Sequence, residues 1–362
     1  MKNHIILLVL FVSGCTAKQE TYYSDADYLK VKKADVHVHI FSETNEFMDV
    51  ATTENFKVVS VALDASNKMA DVRKQFAFCR IQKEKNPSTV EIASAFSMEG
   101  WDEPDWLNRS LAWLDSSIHQ GAIAVKIWKN IGMLYRDKDS TLIMIDDPRF
   151  DPIFKMLADR KIPVIGHLGE PKNCWLPLDE MTTNNDRNYF RENPHYHMHQ
   201  HPDFPTYEEQ IAARDNMLAK NPELIFVGAH LGSLEWSVDE MAKTFDRFPN
   251  MAVDMAARMG QLFYQTHGQR EKVREFFIKY QDRLLYATDM GASGTETKAA
   301  LEKELHDTWY RDWKYFVTDD AMTSGLVDEE FQGLMLPKQV VDKIYYQNAE
   351  KWLGAFERDV ND

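Results

Sequence analysis

Eight short apolar runs, each followed by a polar segment, constrain this chain more than any other feature. The runs are Ala34–His39, Lys57–Leu63, Val90–Phe96, Ala122–Ile127, Pro163–His167, Leu224–His230, Met251–Met255 and Leu284–Asp289. Near-continuous runs of Val, Ile and Ala suit strands covered on both faces, the condition inside a parallel sheet. Segments with helical spacing lie between them, most clearly Lys68–Lys85, Pro104–His119, Pro148–Arg160, Tyr207–Lys220, Glu235–Phe248 and Gln269–Tyr280. Pro104 and Pro148 stand near first-turn positions behind acidic residues, where a missing N–H costs little. Strand and helix alternating eight times predict an α/β fold, a (β/α)8 TIM barrel.

The length of 362 residues, 44% of them hydrophobic, accommodates one such barrel, which takes about 250 residues, with insertions. Two connections are long. Leu168–Thr206, after strand five, runs for about forty residues, where a βα loop takes about two to six. Met290–Pro337, after strand eight, is longer and has helical stretches around Glu296–Tyr315. Both fall on the βα side, where barrel active sites sit, so each is expected to form a lid or pocket wall.

The first residues read as an address. Lys2 precedes an apolar run, Ile5 to Val12, too short to span a bilayer. Val12-Ser13-Gly14-Cys15 follows, and small residues before a cysteine resemble a bacterial lipoprotein signal. The organisation expected is a signal peptide at 1–14, a lipid on Cys15 with a polar tether over 15–33, and the barrel over 34–362. The localisation implied is the bacterial cell envelope, with the membrane reached through the lipid alone. The 57 Asp and Glu against 42 Lys and Arg give a net charge of −15. That balance argues against nucleic acid as a partner, because like charges repel. Of the three cysteines, Cys79 and Cys174 remain for the body of the chain, too few for a disulfide framework.

His37, His39, His167 and His230 stand at the ends of runs one, five and six, and Asp289 ends run eight. A strand period of two puts His37 and His39 on one face. Imidazoles and a carboxylate are suitable ligands for Zn²⁺ and similar ions. A lone His-x-His is a weak signal; the same end of several different strands is a stronger one.

These residues carry a resemblance. Ala34-Asp35-Val36-His37-Val38-His39, Val164-Ile165-Gly166-His167, Val227-Gly228-Ala229-His230 and Tyr286-Ala287-Thr288-Asp289 resemble the amidohydrolase superfamily, in its amidohydrolase-related branch of lactonases, amidases and metal-dependent decarboxylases. Asn348-Ala349-Glu350-Lys351-Trp352-Leu353 is similar to that branch's closing helix. The resemblance implies that His37, His39, His167 and Asp289 bind a divalent metal, zinc foremost, with one or two ions per chain. It implies that His230 is a second-metal ligand or a catalytic histidine polarising the substrate. It implies that Asp289 takes the proton of a metal-activated water. Asp35 either orients a histidine or belongs to the barrel wall.

Lys126, in an apolar strand, has three readings: a carboxylated lysine bridging two metals, a substrate contact, or a side chain snorkelling to the rim. Arg258 suits a substrate carboxylate clamp or an ion pair. Trp128 is a candidate substrate contact, and Trp101, Trp175 and Trp236 also follow strands. Glu170 and Glu235 are candidate acids or bases. The run His195, His197, His199, His201 reads as a lid with one histidine reaching substrate, or as a second metal site. No Gly-rich phosphate loop and no Gly-x-Ser-x-Gly elbow occur. The function expected is hydrolysis of an ester, lactone or amide of a small polar substrate by metal-bound hydroxide. The alternatives are a metal-dependent decarboxylase or lyase of the same superfamily and a non-catalytic binding lipoprotein. The sequence leaves the oligomeric state open.

Overall fold

The computed structural model describes residues 21–356; Cys15 and the signal segment lie outside them. Strands β1 (Lys33–Ile40), β2 (Phe56–Val61), β3 (Val90–Ala95), β4 (Ala122–Ile127), β5 (Val164–Gly166), β6 (Phe226–Gly228), β7 (Met251–Asp254), β8 (Leu284–Leu285) and β9 (Gly291–Ala292) form one parallel sheet in the order 8-7-6-5-4-3-2-1-9. The sheet closes on itself. Val36 N–H donates to Tyr286 O (3.1 Å), and Asp289 N–H donates to His37 O (2.9 Å). The eighth stave is therefore one path, 284–292, broken where Asp289 adopts a φ of +69°. The result is the TIM barrel expected from the alternation.

The barrel interior is filled by Ala34, Val59, Ala93, Ala124, Ile165, Val227, Ala252 and Ala287, all fully buried. One further step of two along each stave puts Lys126, His167, Asp254 and Asp289 on the same inner face, at the mouth. β1 obeys the rule only after a correction. Ala34 and Val36 face inward, yet so does His37, beside Lys126. A register shift between Asp35 and Val38 absorbs the extra residue and re-aims the strand, as bulges do.

The helices expected from the sequence are present, and one is much longer than expected. Gln269–Tyr280 is the second half of a longer helix, Met259–Lys279, kinked at Gln269. Gly260 and Gly268 conceal its first half in the sequence, and Gly260 earns its place. A Cβ there would stand 2.9 Å from Asn185 Oδ1. The second insertion is chiefly not a lid. Its helix, Lys298–Val317, packs on the outer wall, where Trp309 stacks on Phe56 at 4.2 Å and donates to Asp35 at 3.0 Å. Residues 21–33, read above as tether, also pack on the barrel. Tyr28 is buried against Tyr310 and Trp313 and bonds Glu54. Cys79 and Cys174 are unpaired and buried. Among the described residues, no helix is long and apolar enough to cross a membrane.

Candidate active site

Three imidazoles reach the mouth from two staves, and each is pinned through one nitrogen. His37 Nδ1 donates to Asp254 Oδ2 at 2.9 Å. His39 Nδ1 donates to Val61 O at 2.7 Å. His230 Nδ1 donates to Ala256 O at 2.8 Å. A carbonyl or an ionised carboxylate can only accept, so in neutral His37 and His230 the proton sits on Nδ1 and Nε2 keeps its lone pair, whereas His39 faces an acceptor at each nitrogen, Val61 O and Asp289 Oδ1. Asp289 Oδ1 stands 3.5 Å from His37 Nε2 and 3.1 Å from His39 Nε2. Ligand atoms of His37, His230 and Asp289 all lie within 4.8 Å of one another.

The backbone that achieves this is strained. His230, Leu231, Gly232 and Ser233 have φ of +59°, +58°, +63° and +56° in succession, a left-handed turn closing β6. Side-chain crowding costs about 1–2 kcal/mol per residue in such a turn, and strain of this kind collects at functional sites. The helix Tyr207–Lys220 helps hold it: Arg214 donates to Gly232 O and Tyr207 OH to Ser233 O. The turn swings the His230 ring to 5.2 Å from that of His37.

His167 lies beside this group, its ring 4.1 Å from that of His230 and edge-on to Trp128 at 5.1 Å. Neither of its ring nitrogens has a protein hydrogen bond, nor has His230 Nε2, although all are buried. Buried polar atoms normally find partners, so these orphans fit a ligand or cation. The grouping differs from the one implied above. His230 converges with His37 and Asp289, while His167 stands at the edge of the set.

Lys126 is 1% exposed, and its Nζ lies 3.0 Å from His37 Nε2. The snorkelling reading is therefore wrong: register along β4 points this amine into the barrel. Burial lowers its pKa to about 8. Burial, then the charge of Lys126, holds His37 below its ordinary value, and burial takes His167 and His230 well below theirs. Burial opposes ionisation of Asp289 and Asp254, but the surrounding imidazoles outweigh it. Asp289 falls well below the usual carboxylate range and Asp254 to about 2.

Asp35 belongs to the wall. It accepts from Thr288 Oγ1 (2.5 Å), Thr288 N–H (3.1 Å) and Trp309, which fastens β1 to the eighth stave. The residue that orients a ring is Asp254, which the sequence analysis passed over. An acid next to the end of the apolar run Met251–Met255 was the available signal.

A cavity of about 380 Å³ opens above these groups, lined among others by Trp128, Lys129, Glu170, Tyr189, Phe190 and Arg258. Tyr189 and Phe190 come from the helix Asn184–Glu192 of the first insertion, which is the wall expected there. The histidine run does not reach the cavity. His197 is buried on Leu176 O, and His201 bonds Pro194 O. Nor does Trp101, which packs on Trp106 and Phe150, nor Trp175, against Tyr207, nor Trp236, under Lys172. Arg258 Nη2 lies 3.6 Å from Glu170, which Lys129 also pairs. The charges of Asp186, Glu170 and Glu235 act on Arg258, and its Nε is buried without a partner. Burial raises Glu235 to about 7.

The amidohydrolase family model (Amidohydro_2) matches residues 34–355. Among solved structures, an uncharacterised TIM-barrel protein from Bordetella bronchiseptica is 16% identical, with a TM-score of 0.52 over 91% of this chain and 100% of that one. A putative amidohydrolase from Staphylococcus aureus is 14% identical, with a TM-score of 0.51 over 90% and 100%. The 2,6-dihydroxybenzoate decarboxylase from Rhizobium is 13% identical, with a TM-score of 0.50 over 89% and 98%. These likenesses concern the fold. No curated protein sequence matches the chain. With the barrel, its ring of inward imidazoles and a family match across nearly the whole described length, the chain belongs to the amidohydrolase family.

Proposed function

We propose that the protein is a metal-dependent hydrolase that cleaves an ester, lactone or amide bond in a small polar substrate. One observation carries the reading: His37 and His230 are each pinned through Nδ1, leaving Nε2 lone pairs gathered with Asp289, whose Oδ1 also meets His39 Nε2 at 3.1 Å. A divalent cation held by these atoms, zinc being the best match to imidazole and carboxylate donors, would supply Lewis acidity and lower the pKa of water. The remaining work falls to the chain. Asp289, ionised and one-third exposed, takes a proton from attacking water at its free oxygen. His230 suits a ligand better than a carbonyl-polarising donor, because its proton is already committed to Ala256 O. His167, whose ring nitrogens make no protein hydrogen bond, is free to present an N–H to the substrate. Trp128, Tyr189 and Phe190 wall the substrate.

The pairing of Arg258 with Glu170 at 3.6 Å supports hydrolysis of a neutral group over a decarboxylase that must clamp a free carboxylate. The test is a screen of metal-loaded protein against lactones, esters, N-acyl amides and aromatic acids in ¹⁸O-water. One ¹⁸O in the acid product supports the hydrolase. Release of CO₂ without ¹⁸O incorporation would make it the decarboxylase, and a protein that takes up no metal and is inert to every compound would make it the binding lipoprotein.

We also propose that lipid on Cys15 holds the protein to a bacterial envelope membrane. Cys15→Ser should abolish fatty-acid labelling; undiminished labelling would refute the anchor.

A further inference from the structure

Asp254 ends β7 with both carboxylate oxygens committed. Oδ2 accepts from His37 Nδ1 at 2.9 Å. Oδ1 accepts the backbone N–H of His230 at 2.8 Å and that of Ala256 at 3.1 Å. The side chain is 1% exposed and does not line the cavity, so it touches no substrate. One carboxylate thus joins a ring from β1 to the first residue of the left-handed turn after β6.

We propose that Asp254 is a positioning residue that sets the His37 tautomer and clamps the His230 turn, so that both rings offer Nε2 lone pairs to one cation. The proposal rests on the metal-site reading above for its purpose but not for its geometry. Two independent contacts fix the same tautomer of His37. An acceptor faces Nδ1, and the Lys126 amine faces Nε2 as a donor at 3.0 Å. Such partners of ligating histidines are worth about 10–100-fold in metal affinity.

Asp254→Asn separates the two duties. The amide oxygen still accepts the N–H groups of His230 and Ala256, so the amide nitrogen must face His37 Nδ1. That nitrogen is a donor, Nδ1 must then accept, and the ring proton moves to Nε2, where a cation must displace it to bind. The test uses the full chain. In ¹⁵N-imidazole NMR spectra of the metal-free wild type, His37 should carry its proton on Nδ1; a proton on Nε2 overturns the proposal whether or not any variant folds. In Asp254→Asn the proton should move to Nε2, and zinc affinity, by chelator competition, should fall about 10–100-fold. An unmoved proton, or zinc affinity within twofold of wild type, overturns it. Failure of the wild type to bind zinc, with the tautomer as described and switched in the variant, would refute the hydrolase reading and leave the role of Asp254 standing.

Discussion

Single residues at the mouth carry opposed demands, and their protons report which demand wins. Glu235 is fully buried, accepts Lys172 N–H through Oε1 at 2.8 Å and leaves Oε2 without a partner. Its folded-state pKa, about 7, exceeds the ordinary 4.5, so the folded chain holds this proton more tightly than the unfolded one. Stability from this group is full below pH 4.5 and is lost as pH rises through 7. Glu235→Gln, which cannot ionise, should match wild type at pH 4 and exceed it by up to about 3 kcal/mol at pH 8. Equal denaturation midpoints at pH 8 would contradict this. Lys126 sits where its amine meets the His37 lone pair, a position a charged ammonium would share poorly with a cation. A Lys126 carbamate would bridge two ions, and Lys126→Met would then lower the bound metal per chain. Unchanged metal content with a raised KM would make the lysine a substrate contact. Lys126, His167 and Asp289 were legible as rim residues because a period of two carries each apolar stave to its end. Asp254 stands on the same rim by the same period, but nothing in the sequence says which carboxylate faces which ring.

At the scale of elements, the strands were legible and several connections were not. A strand buried on both faces must be apolar throughout, so its position survives in composition. The left-handed turn at 230–233 has no such trace, for only one of its four residues is glycine. The insertion Leu168–Thr206 was legible as a wall, but the side chains that line the cavity come from Asn184–Glu192 rather than from the histidine run. Of that run only His197 is buried, on Leu176 O, while His201 bonds Pro194 O at the surface. The segment 21–33 misled because it is polar on average, while its few apolar side chains do the packing. Tyr28 and Val31 are 4% and 9% exposed, and burying each stabilises by about 1.5–3 kcal/mol. A chain beginning at Ala34 should therefore unfold several degrees below one beginning at Thr21, by circular dichroism. Coincident melting curves would show that the segment adds nothing.

For the whole molecule, the barrel brings residues distant in sequence to one rim and holds them from behind. The eighth stave breaks at Asp289 and closes on His37 O. Asp35 and Trp309 lock that seam from outside, and Asp254 joins the first stave to the sixth. Catalysis then depends on the rim as a unit, since a site of three or four ligands fails when one is lost. The most direct measurement is a crystal structure of the zinc-loaded protein with anomalous scattering recorded at the zinc edge. The account predicts a peak bonded to His37 Nε2, His230 Nε2 and Asp289, absent from crystals of His37→Ala. Zinc-soaked crystals with no peak at the mouth, or a peak bonded to none of these three side chains, would contradict it.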